Sequence, residues 1–221
     1  MWDSWIYTSK IRPLASGVLG TTYKTKELQV GIILITAGYL SRKLTIAVTL
    51  PETARIILQA ISYTADIRVI TLITLALYII NAKRHEIYKK LAFSILATGL
   101  IVAITKILVE SPRPSPYSPA ITLLEKIDVY SYPSGHAAGS MVYAYYAWKT
   151  DNYKHLFLAW TLLVGASRIL LGYHYIGDVL AGYGIGIITA YLFYNGLYYK
   201  LKDIFQKTTS SNKNGATLWA Y

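Results

Sequence analysis

Apolar stretches separated by charged or Gly/Pro-containing clusters constrain the fold of this chain more than any other feature. A helix needs about 20 mostly apolar residues to cross a bilayer, because the hydrocarbon core is about 30 Å thick. Five clear stretches and one shorter stretch are present: 61–80, 91–109, 136–148, 156–171, 179–199 and 28–40. We therefore predict an all-α fold, an integral membrane helical bundle with about six transmembrane helices.

The composition excludes several other classes of protein. Hydrophobic residues make up 54% of the 221 positions and charged residues only 15%, a balance that is rare in a soluble domain. Without cysteine, the chain has neither disulfide bonds nor thiolate metal ligands. The net charge of +11 lies in short clusters between the apolar stretches, so it indicates membrane topology rather than a nucleic-acid partner.

Three regions are expected along the chain. Residues 1–26 lack the basic-then-apolar layout of a cleavable signal peptide and are predicted to be a cytoplasmic or interfacial segment. Residues 27–199 would form the transmembrane domain, and the polar residues 200–221 a disordered cytoplasmic tail.

The first span is the least clearly defined part of the predicted transmembrane domain. The apolar run is short, and the residues that follow, 44–60, could extend it or form an amphipathic helix at the membrane surface. With a cytoplasmic N-terminus, most of the 22 basic residues lie on the inside. We therefore expect a multi-pass protein of the cell membrane with both termini in the cytoplasm.

Three basic residues lie at or near the outer ends of predicted helices: Lys106, Arg113 and Arg168. A charge at a helix centre costs about 2.5–3.5 kcal/mol on insertion scales, so such residues are usually paired or functional. Each side chain could extend along the helix to the surface. Because only Glu110 and Asp178 are near enough in sequence to balance them, we favour an anion with several oxygens, such as phosphate.

A turn sequence, Pro133-Ser134-Gly135, leads directly into the apolar stretch that begins at His136. Ser134 has the side chain of a typical helix N-cap. The first N–H groups of a helix also bind anions, because they have no partner within the helix. Capping and phosphate binding by Ser134 and Gly135 are therefore compatible.

His174 and Asp178 are four residues apart and would lie on one helical face. A carboxylate in that position fixes the histidine tautomer and leaves the other ring nitrogen as a base or nucleophile. Together with His136 and the three cations, the pair favours phosphoryl transfer through a phosphohistidine. A metal site at the two histidines and the aspartate is the alternative, but the cations would repel a divalent ion.

Three sequence blocks resemble the signature of the type 2 phosphatidic acid phosphatase superfamily, which includes bacterial acid phosphatases and vanadium haloperoxidases. They are KILVESPRP at 106–114, PSGH at 133–136 and SRILLGYHYIGD at 167–178. The resemblance covers about residues 61–199 and matches every signature position.

The resemblance implies a role for each residue. His174 would attack phosphorus, Asp178 would orient it, and His136 would protonate the leaving oxygen. The phosphoryl oxygens would be bound without a metal or other cofactor by five residues: Lys106, Arg113, Ser134, Gly135 and Arg168. The glycines of GYGIG at 182–186 lie inside a predicted span, so we expect close helix packing there rather than a nucleotide loop.

The expected function is hydrolysis of a lipid phosphate or diphosphate at an outward-facing site. A polyprenyl diphosphate is preferred because the chain is small, resembles compact prokaryotic members of the family, and would suit recycling of a carrier lipid. Phosphatidic acid and phosphatidylglycerol phosphate remain open as substrates. The alternative functions are a lipid phosphotransferase, a vanadate-dependent peroxidase and a lipid-binding protein with a degenerate site.

Overall fold

Helices form all of the regular structure in the part of the chain that the computed structural model describes, residues 26–46, 48–80, 85–115, 129–150, 153–204 and 206. The all-α prediction is confirmed. The helices are α1, Lys26–Leu40; α2, Glu52–Tyr63; α3, Ile67–Ile80; α4, His85–Val109; α5, Gly135–Thr150; α6, Lys154–Leu170; and α7, Ile176–Leu192.

Both ends of the predicted transmembrane domain fall close to the limits of the described residues. Lys26 begins α1, and the rest of the predicted segment 1–26 lies outside the description. At the other end, the helix that begins with α7 passes through a π-helical turn at Phe193–Leu197 and continues to Ile204. The predicted boundary at residue 200 therefore lies within a helix, and most of the predicted tail lies outside the described residues.

The prediction of about six spans is not confirmed. Two helices among the described residues are long and apolar enough to cross a membrane, His85–Val109 and Ile176–Ile204, and α2 with α3 would make a third if the bent pair is one span. Helices α1, α5 and α6 have 15, 16 and 17 residues. Each is shorter than the roughly 20 residues of a typical span, so the number six stays a prediction.

The apolar segment 61–80 does not form one continuous helix, because the structure breaks it between α2 and α3, and α3 begins at Ile67. The two helices are bent by 46° at this break. Asp66 accepts a hydrogen bond of 2.9 Å from the backbone N–H of Arg68, so its carboxylate caps the start of α3. For residues 44–60, where an amphipathic helix was one of two alternatives, the structure has a helix, α2, that begins at Glu52.

Helix α7 lies at the centre of the bundle and contacts α1, α4 and α5. Its glycines permit close approach of the neighbouring backbones. A Cβ atom at Gly182 would lie 2.5 Å from the carbonyl oxygen of Ser134, and one at Gly184 would lie 2.5 Å from that of Gly31. The predicted packing role of the GYGIG run is therefore confirmed.

Polar side chains link the packed helices within the bundle. Thr98 of α4 and Thr189 of α7 share a hydrogen bond of 2.6 Å, and the Tyr143 hydroxyl of α5 donates to the carbonyl oxygen of Ile70 in α3 at 2.8 Å. Large apolar side chains on the outer faces of α3 and α4, by contrast, are exposed. This distribution is typical of a bundle that faces lipid on the outside.

One end of the bundle gathers the ends of four helices. The end of α4 lies beside the start of α5. Val102, one turn before Lys106 in α4, is 3.6 Å from the position that a Cβ atom at Gly135 would take. Helix α7 also begins there, since the N–H of Ser134 donates to the carbonyl oxygen of Asp178 at 2.9 Å. The short connection after α6 completes the group, so distant segments of the sequence meet at this end.

Candidate active site

His174 and Asp178 form a buried pair at the start of α7. Asp178 lies in the first turn of α7, but His174 lies in the connection before it, so the prediction that both share one helical face is wrong. Their exposed fractions are 0% and 1%. The Nδ1 atom of His174 is 3.4 Å from Oδ2 of Asp178. The backbone N–H of Tyr175 donates to the same oxygen at 2.8 Å, which is how an acidic residue in the first turn commonly caps a helix. The carboxylate is thus held in place beside the ring.

Ser131 also contacts this pair, and sequence reasoning missed it. Its hydroxyl donates to Oδ2 of Asp178 and lies 3.4 Å from Nδ1 of His174. Ser131 is fully buried, and its backbone N–H donates to the carbonyl oxygen of Ser111 at 2.7 Å. A serine near a turn is too common to single out from sequence; its closeness to the PSGH block was the only signal.

The surroundings of His174 favour a neutral imidazole ring. Burial lowers the pKa of His174 well below its ordinary value of 6.5, and the charges of Arg168, Arg113 and Lys106 lower this pKa further. These effects outweigh the carboxylate 3.4 Å away. A neutral ring that directs Nδ1–H toward Asp178 has its lone pair on Nε2, the form needed for nucleophilic attack.

The first two predicted phosphate-binding cations lie in and after the last turn of α4. Lys106 is only 3% exposed, and its ammonium group donates to the carbonyl oxygen of Tyr130 at 2.9 Å. Arg113 donates from Nη1 to the carbonyl oxygen of Tyr173 at 2.8 Å. Tyr173 directly precedes His174, so this bond joins the first signature block to the third.

Arg168, the third predicted cation, lies in the last turn of α6 and is 6% exposed. Its guanidinium carbon lies 4.6 Å from the centre of the Tyr173 ring, a cation–π contact. Nη1 donates to the hydroxyl of Ser62 in α2 at 2.8 Å. Sequence reasoning missed Ser62, because it lies in a different apolar segment with no recognisable motif around it.

The PSGH block forms the start of α5. Ser134 directly precedes the helix, is fully buried, and accepts a long hydrogen bond of 3.4 Å from the N–H of Ala137. The predicted N-cap is therefore present. His136 is partly exposed in the first turn, and its charge acts on His174. The start of α5, with its N–H groups, thus lies beside the buried pair.

The structure brings all eight predicted site residues to this end of the bundle, although it does not test their roles. Among the described residues, no group of three or more His, Cys, Asp or Glu side chains could hold a metal ion. The alternative metal site at His136, His174 and Asp178 is therefore not found in this part of the chain. Three cations around one buried histidine suit a multiply charged anion instead.

A cleft of about 380 Å³ lies next to the site. Its walls come from the segment after α1, from Arg55 of α2, from Pro114 and Ser115, and from residues 170–172 at the end of α6. Pro114 follows Arg113, and Gly172 precedes Tyr173, whose ring contacts Arg168. The cleft therefore opens beside these two cations and not over the histidine pair. The walls are partly apolar and carry one cationic residue.

Comparison with known proteins relates this arrangement to one family. Residues 87–202, more than half of the 221 residues, match the sequence model of the PAP2 superfamily. A lipid A 1-phosphatase of Rhizobium johnstonii is 35% identical over 77 residues, which are 32% of this chain and 32% of that protein. The match thus spans about a third of the curated relative.

Two crystal structures share the fold. LpxE of Aquifex aeolicus superposes with a TM-score of 0.53 at 20% identity, covering 75% of this chain and 93% of that chain. A PAP2-type phosphatidylglycerolphosphate phosphatase of Bacillus subtilis also gives 0.53, at 19% identity, covering 80% and 89%. The matched region contains all three signature blocks, and the chain belongs to the PAP2 superfamily.

Proposed function

We propose that this protein is a membrane-embedded phosphatase that hydrolyses a lipid phosphate or diphosphate through a phosphohistidine intermediate. The observation that carries the proposal is the environment of His174. Its ring is buried and lies 3.4 Å from a carboxylate, and the charges of three cations act on it. A neutral nucleophile surrounded by positive charge is suited to attack on a negatively charged phosphoryl group.

In the first step, Nε2 of His174 attacks phosphorus and the bond from phosphorus to the leaving oxygen breaks. His136 gives its proton to that oxygen, so the product leaves as an alcohol or as a lower phosphate. Asp178 stabilises the positive charge that the bonded ring of His174 acquires. The product of this step is a phosphohistidine.

In the second step, water attacks the phosphohistidine. His136, now neutral, takes a proton from the water, and the bond from phosphorus to Nε2 of His174 breaks. Inorganic phosphate leaves, and both histidines return to their starting states. Throughout the cycle, five groups stabilise the charge on the phosphoryl oxygens: Lys106, Arg113, Arg168, the Ser134 side chain and the Gly135 N–H.

A lipid substrate fits the position of the site in the molecule. The signature residues lie at one end of helices whose outer faces are apolar and exposed, where a headgroup at a membrane surface could reach them. The names of the related proteins, a lipid A 1-phosphatase and a phosphatidylglycerolphosphate phosphatase, support a lipid phosphate in general. Within this class we propose a polyprenyl diphosphate, with phosphatidic acid and phosphatidylglycerol phosphate as the alternatives.

The cleft beside the cations offers a way to separate diphosphate from monophosphate substrates. Arg55 lines this cleft and could bind the phosphate that is not cleaved. If so, Arg55→Ala raises the KM for a polyprenyl diphosphate by about tenfold and leaves the KM for the corresponding monophosphate unchanged. Equal KM changes for both substrates would remove Arg55 from substrate recognition.

The distribution of basic residues supports an outward-facing site in the cell membrane with cytoplasmic termini. A topology reporter fused to the C-terminus tests this orientation. A cytoplasmic signal is expected, and an extracytoplasmic signal would reverse the proposed orientation.

The experiment that tests the function measures phosphate release by the full chain in detergent. The substrates are a polyprenyl diphosphate, a phosphatidic acid and a soluble phosphate ester, each with and without a chelator. We expect release from the lipid substrates that the chelator does not reduce, and no release by His174→Ala. Loss of activity with chelator would contradict the metal-free mechanism, while transfer of phosphate to an added alcohol would identify a phosphotransferase.

A further inference from the structure

The bend between α2 and α3 is attached to the candidate active site, although it lies outside the three signature blocks. The hydroxyl of Ser62 accepts the hydrogen bond of 2.8 Å from Arg168. Two residues later, the Thr64 hydroxyl accepts a hydrogen bond of 2.7 Å from the indole N–H of Trp160 in α6. These two contacts hold the bend against the helix that carries Arg168.

Asp66, the last residue of the bend, lies at the end of α3 that packs beside the start of α5. Helices α3 and α5 pack side by side and run in the same direction, since Ile70 meets the position where Gly139 would carry a Cβ atom and Thr74, one turn later, shares a hydrogen bond with the Tyr143 hydroxyl. Asp66 precedes Ile70 by one helical turn, as His136 precedes Gly139 by nearly one. Asp66 and His136 therefore lie at the same end of the two helices, where the charge of His136 acts on the Asp66 carboxylate less strongly than that of Arg68 does.

The Asp66 carboxylate is held in one orientation by Arg68. It accepts hydrogen bonds from the backbone N–H of Arg68 at 2.9 Å, from Nε at 2.8 Å and from Nη2 at 3.0 Å. The aspartate side chain is only 14% exposed, whereas that of the arginine is 79% exposed. Water therefore screens the guanidinium charge more strongly than the carboxylate charge, and a net negative field remains on the protein side of the pair.

Several charged groups lie at the same end of the bundle as His136. Five belong to the site already described, Lys106, Arg113, Arg168, His174 and Asp178, and two lie at the start of α3, Asp66 and Arg68. The three site cations disfavour the positive charge that the His136 ring carries when it is protonated. The Asp178 carboxylate is already engaged by Ser131, Tyr175 and His174. Glu110, directly after α4, is exposed and accepts a hydrogen bond from the Tyr130 hydroxyl at 3.1 Å. Of the carboxylates described at this end of the bundle, that leaves Asp66.

We propose that Asp66 is a positioning residue whose carboxylate stabilises the protonated ring of His136, so that His136 begins each cycle as an acid. This inference rests on the phosphatase function proposed above. It gives the capping aspartate of α3 a second role, because the side chain that starts this helix also lies at the end of α3 that packs beside the first turn of α5. The proton that His136 gives to the leaving oxygen is regained from the attacking water.

The substitution Asp66→Asn separates the two roles. Asparagine caps a helix as well as aspartate does, so the variant keeps the helix start and loses only the charge. A nearby opposite charge raises the pKa of a base, and Arg68 offsets part of this effect. We therefore expect the basic limb of the kcat/KM profile to move down by about 0.5–1 pH unit, a loss of about three- to tenfold above its midpoint.

The choice of substrate isolates the proton donor. A lipid alkyl phosphate has a poor leaving group that needs the His136 proton, so it should show the full shift. With p-nitrophenyl phosphate, whose leaving phenolate needs little protonation, the Asp66→Asn loss should be less than twofold. Arg68→Gln serves as the matched control, because it keeps the carboxylate and removes the offsetting charge. Its basic limb should lie at or above the wild-type midpoint.

Identical basic limbs in wild type and Asp66→Asn with the alkyl phosphate would overturn the inference and leave the phosphatase function intact. So would inactivity of both Asp66→Asn and Asp66→Glu at every pH, because that result indicates a purely structural role. A wild-type protein that releases phosphate from none of the substrates would instead refute the function itself. The two failures are therefore distinguishable.

Discussion

Removal of the Ser131 hydroxyl tests whether the carboxylate beside His174 must be held in place for catalysis. In the folded protein, Oδ2 of Asp178 accepts hydrogen bonds from this hydroxyl and from the N–H of Tyr175. Oδ1 of Asp178 is buried and has no hydrogen-bond partner among the described residues. In Ser131→Ala the carboxylate therefore keeps one backbone donor and the histidine, and it can rotate away from Nδ1.

The expected magnitude follows from the chemistry of the lost bond. A hydrogen bond to a charged group contributes about 1.5–3 kcal/mol, and a factor of ten in rate corresponds to about 1.4 kcal/mol. If most of this energy serves to orient His174, kcat/KM falls by about tenfold to a hundredfold. The KM should change little, because Ser131 contacts the histidine pair and none of the three cations in the described contacts.

The assay compares Ser131→Ala with Ser140→Ala in steady-state phosphate release and in thermal unfolding in detergent. Ser140 is an equally buried serine, and its hydroxyl donates to the Ala137 carbonyl oxygen within α5 at 3.0 Å. Both variants lose one buried hydroxyl, but only Ser131→Ala should lose turnover. Equal kcat/KM values for the two variants would refute the orienting role of Ser131.

Three further predictions follow from other parts of the site. Burial and nearby cations lower the pKa of His174 below its ordinary value of 6.5, and the neutral ring is the reactive form. Therefore kcat/KM should fall only at a pH below 6.5, and a pH–rate profile with an acid limb above 6.5 would contradict this. Ser62→Ala removes the acceptor of an Arg168 hydrogen bond and should weaken competitive inhibition by inorganic phosphate by about tenfold, whereas an unchanged inhibition constant would exclude that role. Gly182→Ala places a Cβ atom 2.5 Å from a carbonyl oxygen at the start of α5 and should lower the thermal unfolding temperature and the activity; Gly99→Ala, whose nearest neighbour would be 4.0 Å away, should maintain or raise that temperature, and the reverse order would contradict the packing argument.

The sequence predicted the site well where the chemistry is encoded by local spacing. The separation of four residues correctly paired His174 with Asp178, although His174 lies before α7 rather than on a helical face, and a Pro-Ser-Gly turn defines the start of α5. The glycine run in α7 was also assigned correctly, because small residues inside an apolar helix usually mark close packing. These features depend on residues that are close in the chain.

Contacts between distant segments were not predictable in the same way. Ser62 and Arg168 are 106 positions apart, and the hydroxyl of a serine in an apolar stretch carries no signal of its partner. The break in the 61–80 stretch had a local signal, the Asp66 and Arg68 pair, but hydropathy averages over such residues. Hydropathy also did not indicate that the 16 residues of α5 lie largely buried in the bundle.

The central claim is that His174 forms a covalent bond to phosphorus during turnover. Rapid quenching of the enzyme with a lipid phosphate that carries a labelled phosphoryl group measures this directly. We expect label on His174 that is stable to base and labile to acid, as a phosphoramidate is, and no label in His174→Ala. Turnover by the wild-type protein without label on His174, or with label on another residue, would contradict the account.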